Sequence, residues 1–191
     1  MIESEWRKAY HTAHSSGGED LAGRLGRPDP EAMAVVQRSA AKVAARPIAL
    51  AEAFYKHLFA LAPGVRPMFP KDMTAQNDKL CRALLDCIQA LTGTDRAASE
   101  MEWALRRLGT RHADRFAVHP EHYPYVGHAL VRAVRDISDD WSATCASSWV
   151  WVYDWMSSHM LADESTRPAQ ETPSNETGHP LRASRRASSS R

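Results

Sequence analysis

Long apolar runs are missing from the 191-residue sequence, and no stretch approaches the roughly 20 apolar residues of a membrane-spanning helix. Neither positive nor negative charge is in clear excess, because the formal net charge is only +1. That balance creates no basic field of the kind that binds nucleic acid. The first residues, MIESEWRKAYHTAH, lack the apolar core of a secretory signal. We therefore expect no membrane and no nucleic-acid partner.

Cysteine is scarce as well, with only Cys81, Cys87 and Cys145 and no CxxC pair. An odd number without paired spacing predicts free thiols in a reducing compartment, not a disulfide framework or a zinc site. The sequence also contains neither HExxH nor GxGxxG, so it supports neither a zinc protease nor a dinucleotide-binding domain. We expect a cytoplasmic protein.

What the sequence does have is a middle section, residues 29–163, that is patterned as helices. The period-two alternation and regular turn clusters of strands are absent there. Asp29-Pro30 is typical of a helix start, since a capping carboxylate precedes a proline at the first helical position. The predicted helices cover residues 30–45, 47–61, 72–91, 97–113, 120–137 and 138–161, the last one capped by Ser138. Unequal helices with short joints favour an orthogonally packed all-α fold over a regular four-helix bundle.

The two ends of the chain differ from this middle section. Residues 1–28 have little periodicity and are interpreted as a flexible N-terminal extension. Residues 164–191 are rich in Ser, Arg and Pro and almost empty of large apolar groups. Such a segment cannot bury enough surface to offset its ordering entropy, so we predict a disordered tail.

Nine histidines in a small helical chain raise the question of a metal. His112, His119 and His122 cluster around one joint between two predicted helices. His119 and His122 stand three residues apart with Glu121 between them, a spacing that admits a metal ion. Pro120-Glu121 is nevertheless typical of an exposed helix start, and we favour that interpretation for this pair.

Three segments together resemble one family. The run GTRHADRFAVHPEHYPYVGHAL, residues 109–130, is similar to the GxRH…PEHYxxVG…L segment of bacterial globins. The run FYKHLFALAPGVRPMF, residues 54–69, resembles their FYxxLFxxxPxxRPLF segment, and DMTAQNDKL, residues 72–80, resembles their DMxxQxxKL. The motifs occur in the expected order, and the resemblance covers residues 31–161. The chain thus resembles a bacterial single-domain globin, closest to the globin domain of flavohaemoglobins.

This resemblance implies a globin fold, a three-on-three helical sandwich around haem b (iron protoporphyrin IX), with His112 as the iron ligand. His112 lies near the end of its predicted helix, where a backbone carbonyl can hold one ring N–H and leave the other nitrogen free for iron. The alternative is a helix-terminal histidine that only compensates the helix dipole. That alternative explains the position of His112 but not the three motifs.

On the opposite side of the haem, the resemblance assigns Tyr55, Gln76 and Leu80, with Phe69 against the haem plane. A buried phenol and a carboxamide can each donate a hydrogen bond to a partly negative bound O₂, and such bonds are strong in a dry pocket. The register of this helix stays open, because Lys79 or Leu80 would face the iron if the preceding turn differed in length. For Tyr55 and Phe69 the alternative is ordinary core packing, and for Gln76 it is a solvated helix position.

On the proximal side, the resemblance assigns Tyr123 and Val126 to the pocket. The stretch from His112 to Tyr123 is one residue longer than the family pattern. A glutamate that supports the proximal histidine in flavohaemoglobins would fall, counted from Trp141, near Met156, and no Glu stands there.

The last predicted helix is rich in tryptophan. Trp149, Trp151 and Trp155 cannot all be buried on one face at this spacing. Either some of them pack on another subunit, or they line a broad groove within the chain, and the oligomeric state is left open.

The leading functional hypothesis is a haem protein that reversibly binds O₂, with NO and CO as further ligands. A second hypothesis is a nitric oxide dioxygenase, which would need a separate reductase because this chain has no room for flavin or nicotinamide domains. A third is a haem-based gas or redox sensor module, and a fourth is a haem-free helical scaffold. The sequence favours a binding protein over an enzyme, and names no catalytic residue.

Overall fold

The computed structural model describes residues 26–162, so the segments interpreted as an N-terminal extension and a disordered tail lie almost entirely outside it. Within the described part there are six α helices, two short 3₁₀ helices and no strand. This confirms the all-α prediction. The α helices are α1 Pro30–Ala45, α2 Pro47–Leu61, α3 Thr74–Thr92, α4 Asp95–Phe116, α5 Tyr123–Ile137 and α6 Ala143–Leu161; the 3₁₀ helices are Pro63–Met68 and Pro120–His122. None of the helices in residues 26–162 is long and apolar enough to span a membrane.

Side-chain caps explain several of the helix starts. The Asp29 carboxylate accepts a hydrogen bond of 2.7 Å from the N–H of Ala32, with Pro30 at the first position of α1, as the sequence predicts. Pro47 opens α2 in the same position. At α4 the Thr94 hydroxyl accepts from the N–H of Ala97 at 3.2 Å. Each cap satisfies one of the N–H groups that a helix start leaves unpaired.

Other helix boundaries differ from the predictions. Helix α3 begins at Thr74, two residues late, because the Asp72 carboxylate accepts from the Thr74 N–H at 2.9 Å and holds a turn. The predicted cap Ser138 is wrong: Ser138 ends α5, and the cap of α6 is Ser142, whose hydroxyl accepts from the N–H of Cys145 at 3.1 Å. Trp141 therefore lies in the connection before α6, not inside the helix.

The helices pack in crossing pairs around one main core. Helix α2 lies along α5, α3 packs across α1 and α2, and α6 lies between α1 and α4. The largest fully buried side chains include Trp149, Leu50, Val36 and Val134, which come from four different helices. A smaller cluster joins α3, α4 and α6 and contains Cys87, Leu105 and Trp155.

Helix α6 is buried on two sides, and two of its tryptophans are buried on different sides of it. Trp149 and Trp155 are both 0% exposed within the single chain. The Trp149 Nε1–H donates to the Ser39 hydroxyl of α1 at 2.8 Å, whereas Trp155 packs in the cluster with Leu105 of α4. Neither ring needs another subunit to cover it.

Candidate functional site

Helices α2 and α3 bring two of the predicted polar residues together. Tyr55 is only 6% exposed, and the Gln76 side chain lies within hydrogen-bonding reach of its hydroxyl. Burial raises the pKa of Tyr55, the Gln76 amide opposes that rise, and Cys81 adds to it. The phenol is therefore neutral and keeps its proton for donation. Lys79, the alternative that the sequence left open, is exposed to solvent.

An aromatic cluster surrounds the Tyr55 ring. Phe59 stacks on it with ring centroids 5.7 Å apart, and Phe69 meets it edge-on at 5.4 Å. Phe59 and Phe69 are themselves 5.4 Å apart, so the three rings form a triangle. Edge-to-face and offset contacts of this kind stabilise fixed ring orientations. The predicted pocket residue Phe69 is thus held against Tyr55 by direct contact.

Arg66 fixes the turn that carries Phe69. Its guanidinium lies 5.0 Å from the centroid of the Phe59 ring, and Nη1 donates to the carbonyls of Phe69 and Pro70, each at 3.1 Å. Sequence reasoning assigned no role to Phe59 or Arg66. The signal was present, however, because both occur in the FYxxLFxxxPxxRP segment on which the resemblance rests.

Several large apolar side chains near these residues are only partly buried. Leu80 stands one turn after Gln76 on α3, and Val126 of α5 and Met156 of α6 share its partial exposure while packing against the core. A flat apolar group that covered such side chains would bury their exposed apolar surface, and each Å² buried contributes about 25 cal/mol of favourable free energy. Their chemistry suits a porphyrin better than a polar ligand.

His112 lies on α4 and is half-buried. Burial lowers the pKa of its imidazole, and the neighbouring Arg111 lowers it further, so the neutral form is favoured. Its ring contacts Phe116 at 6.2 Å, and within residues 26–162 no hydrogen bond to the imidazole is formed. The neutral imidazole is the form that ligates a metal. The backbone carbonyl that the sequence leads us to expect as a partner of its second ring nitrogen does not accept from it within the described part of the chain.

The helix that carries His112 extends further than the sequence predicts. Helix α4 continues to Phe116, so His112 stands four residues before its last residue. The chain then turns at Ala117, a non-glycine residue with φ of 49°, and the N–H of Val118 donates back to the His112 carbonyl at 3.1 Å. Since His112 is inside the helix, simple compensation of the terminal dipole explains it less well.

Tyr123 begins α5 and is buried, which raises the pKa of its hydroxyl. Its carbonyl accepts a hydrogen bond of 2.6 Å from the hydroxyl of Tyr153 on α6. Sequence reasoning missed Tyr153, since a single tyrosine in a tryptophan-rich helix carries no local signal for a contact thirty residues away.

The His119 and His122 pair forms a helix start, as the sequence favours. The His119 N–H donates to Nδ1 of His122 at 2.9 Å, and His119 is exposed. Among residues 26–162 no three His, Cys, Asp or Glu side chains are grouped as a bare metal ion would require.

The position counted from Trp141 falls on Met156 of α6, and no glutamate stands anywhere in that helix. Met156 itself is partly buried and packs against both clusters.

Taken together, the residues present fit a haem group. Helix α4 carries a half-buried neutral imidazole, and the contact between α2 and α3 carries the Tyr55 phenol with the Gln76 amide. Partly exposed apolar side chains such as Leu80 and Phe69 lie beside the second pair. A single imidazole ligand with a polar, dry opposite pocket is the donor set that haem iron uses to bind a diatomic gas.

Comparison with known proteins agrees with this geometry. Residues 52–160 match the model of the Globin family. Two curated relatives are the Flavohemoproteins of Xylella fastidiosa strains Temecula1 / ATCC 700964 and 9a5c, each 25% identical over 135 residues. The match covers 70% of this chain and 33% of each relative, so the chain spans about a third of their length. All of the site residues named above lie inside the family match.

Proposed function

This chain belongs to the globin family, and from that premise we propose that it binds haem b through His112 and reversibly binds O₂ on the side of Tyr55 and Gln76. Family membership confirms the predicted all-α globin fold and the resemblance to flavohaemoglobins. The gas ligand and the role of each residue are the proposal.

The observation that carries the proposal is the Tyr55–Gln76 pair. The two residues come from different helices: the Tyr55 ring is buried against Phe69, and the partly buried Gln76 amide lies within hydrogen-bonding reach of the Tyr55 hydroxyl. A buried phenol needs a hydrogen-bond partner. The Gln76 amide can donate to the phenol oxygen, which leaves the Tyr55 O–H to donate to a polar diatomic ligand.

Each residue has a distinct part in the proposed mechanism. When bound, the haem iron supplies the reversible coordination of O₂, and of NO and CO as further ligands. His112 holds the group from α4 with one neutral ring nitrogen, and burial keeps that nitrogen unprotonated. Tyr55 donates its O–H and Gln76 its N–H toward the ligand, while Phe69 and Leu80 exclude water. Exclusion of water makes these hydrogen bonds stronger.

Spectra of the ferric, ferrous and ferrous–CO protein test this proposal. We expect a stoichiometric haem spectrum with a histidine-ligated ferrous form. His112→Ala should abolish stable stoichiometric haem, whereas the matched control His119→Ala, at an exposed position, should keep it. Full haem retention with an unchanged spectrum in His112→Ala would refute the assignment.

The relatives favour a second candidate function, a nitric oxide dioxygenase that depends on a separate reductase. They are named Flavohemoprotein, and two thirds of their length lies outside the match. NO consumption by the oxygenated protein, with and without an added flavin reductase, separates the candidates. Sustained turnover with the reductase favours the enzyme, and a single turnover under both conditions favours the binding protein.

A further inference from the structure

The backbones of α4 and α6 approach each other closely at Gly109. A Cβ atom built on Gly109 would lie 1.8 Å from the carbonyl oxygen of Met160 and 2.6 Å from its carbonyl carbon. Both atoms belong to the backbone, so no side-chain rotation could relieve the contact. Only glycine permits this crossing of the two helices.

Two other glycines, Gly64 and Gly93, are not restricted in this way. A Cβ on Gly64 would meet nothing within 4 Å, and one on Gly93 would come no closer than 3.2 Å to the Gln89 carbonyl oxygen. The requirement for glycine at position 109 therefore comes from the α4–α6 crossing.

The crossing lies one helical turn before His112. Helix α4 packs Leu105 in one cluster with Trp155 and then places Gly109 on Met160, the penultimate residue of α6. From Gly109 the helix needs only three residues to reach His112, an axial rise of about 4.5 Å. A hydrogen-bonded helical turn transmits a displacement over that distance almost unchanged.

We propose that Gly109 is a positioning residue, which sets the place of the His112 imidazole by letting the backbone of α4 rest directly on the end of α6. This inference rests on the proposed ligand role of His112. An added methyl group would have to move from 1.8 Å to at least 3.0 Å from the Met160 carbonyl oxygen, a displacement of about 1.2 Å that is large enough to disturb a bond whose geometry is fixed by the protein.

The first test compares Gly109→Ala with two controls in the haem-loaded protein. Gly64→Ala adds the same methyl group in open space, and Leu105→Ala weakens the α4–α6 cluster without adding a backbone contact. The readouts are the iron–histidine stretching frequency of the ferrous form and the rate of haem transfer to an acceptor apoglobin. Gly109→Ala should lower the frequency and release haem about tenfold faster, equivalent to about 1.4 kcal/mol.

Both controls should leave the stretching frequency unchanged, although Leu105→Ala unfolds more easily. The inference is overturned if Gly109→Ala keeps the wild-type frequency, or if Leu105→Ala shifts it equally. Absence of the iron–histidine band in the wild-type protein would instead overturn the proposed ligand role of His112.

A second test does not depend on the folding of Gly109→Ala. In His112→Gly supplied with free imidazole, the ligand is no longer attached to α4. If attachment to α4 constrains the bond to iron, as the positioning role of Gly109 requires, the iron–imidazole frequency should differ from that of the wild-type protein. Equal frequencies would overturn the positioning role.

Discussion

The Tyr153 hydroxyl donates to the backbone carbonyl of Tyr123 at 2.6 Å. Burial raises the pKa of this phenol well above its usual value, and the nearby Gly127 N–H opposes that rise. Tyr153 belongs to α6, and Tyr123 is the first residue of α5. The bond therefore ties the two helices together beside the proposed proximal pocket.

Tyr153→Phe should lower the free energy of unfolding by about 1–3 kcal/mol, because removal of the hydroxyl leaves a buried polar group without its partner. Urea unfolding followed by circular dichroism measures the loss. The matched control is Tyr125→Phe, which removes a hydroxyl from a side chain that is 42% exposed and should change stability little. Equal stability of both variants would contradict a structural role for the Tyr153 bond.

Helix starts could be predicted from the sequence where neighbouring residues alone determine them. Asp29 with Pro30 and Pro47 mark helix starts that need no tertiary contact, and both starts were predicted correctly. Ser138 and Ser142 are equally good caps in isolation. Which of them starts α6 depends on where α5 ends, and that depends on packing between helices.

The candidate site also contains both residues that the sequence indicates and contacts that it does not. Tyr55, Gln76 and His112 were assigned through a resemblance that spans three motifs, and the structure brings the first two together. The Tyr153 bond and the Gly109 crossing come from contacts between distant segments. The packing of α6 could not be predicted either, because the sequence of a helix that is buried on two sides shows no single apolar stripe.

Ala117→Gly should stabilise the protein by about 0.5–1 kcal/mol. A non-glycine residue in the left-handed region costs about 1–2 kcal/mol, and the greater freedom of glycine in the unfolded chain offsets part of the gain. The denaturant midpoint measures the effect. Ala113→Gly, within α4, is the control and should destabilise by about 1 kcal/mol. A lower midpoint for Ala117→Gly would contradict the left-handed turn after His112.

Tyr55→Phe should release O₂ about tenfold faster. The substitution keeps the ring contacts with Phe59 and Phe69 and removes only the buried hydroxyl, a donor worth about 1.5 kcal/mol to a polar ligand. Stopped-flow or flash-photolysis measurement of the O₂ dissociation rate tests this. CO, which carries little negative charge when bound, should be affected less. An unchanged O₂ rate would remove Tyr55 from the ligand pocket.

Gln76→Leu should also speed O₂ release, because it removes an N–H donor while keeping the side-chain size close to the original. Since the Gln76 amide holds the pKa of Tyr55 lower than burial alone would, this variant should raise that pKa further. The control is Lys79→Met on the same helix, at an exposed position that should leave the rate unchanged. A larger effect from Lys79→Met would show that the other register of α3 is correct.

His159 gives the protein a defined sensitivity to acid. It is 4% exposed, and within residues 26–162 neither ring nitrogen has a hydrogen-bond partner. Burial lowers its pKa below the ordinary 6.5; Glu102 raises it, and Arg106 and Arg27 lower it. The unfolded chain therefore binds the proton first, so stability is complete above about pH 6.5 and falls as the pH drops toward the folded-state pKa.

His159→Leu should flatten the loss of stability between pH 7 and 5, because a leucine cannot bind the proton that favours the unfolded chain. The difference in slope is at most about 1.4 kcal/mol per pH unit, the value for one proton. Glu102→Gln should act in the opposite sense, because without that carboxylate the folded-state pKa of His159 falls further. The loss of stability should then begin at the same pH as in the wild-type protein but continue to lower pH. Urea unfolding at closely spaced pH values measures all three proteins, and parallel curves for wild type and His159→Leu would assign the acid sensitivity to other groups.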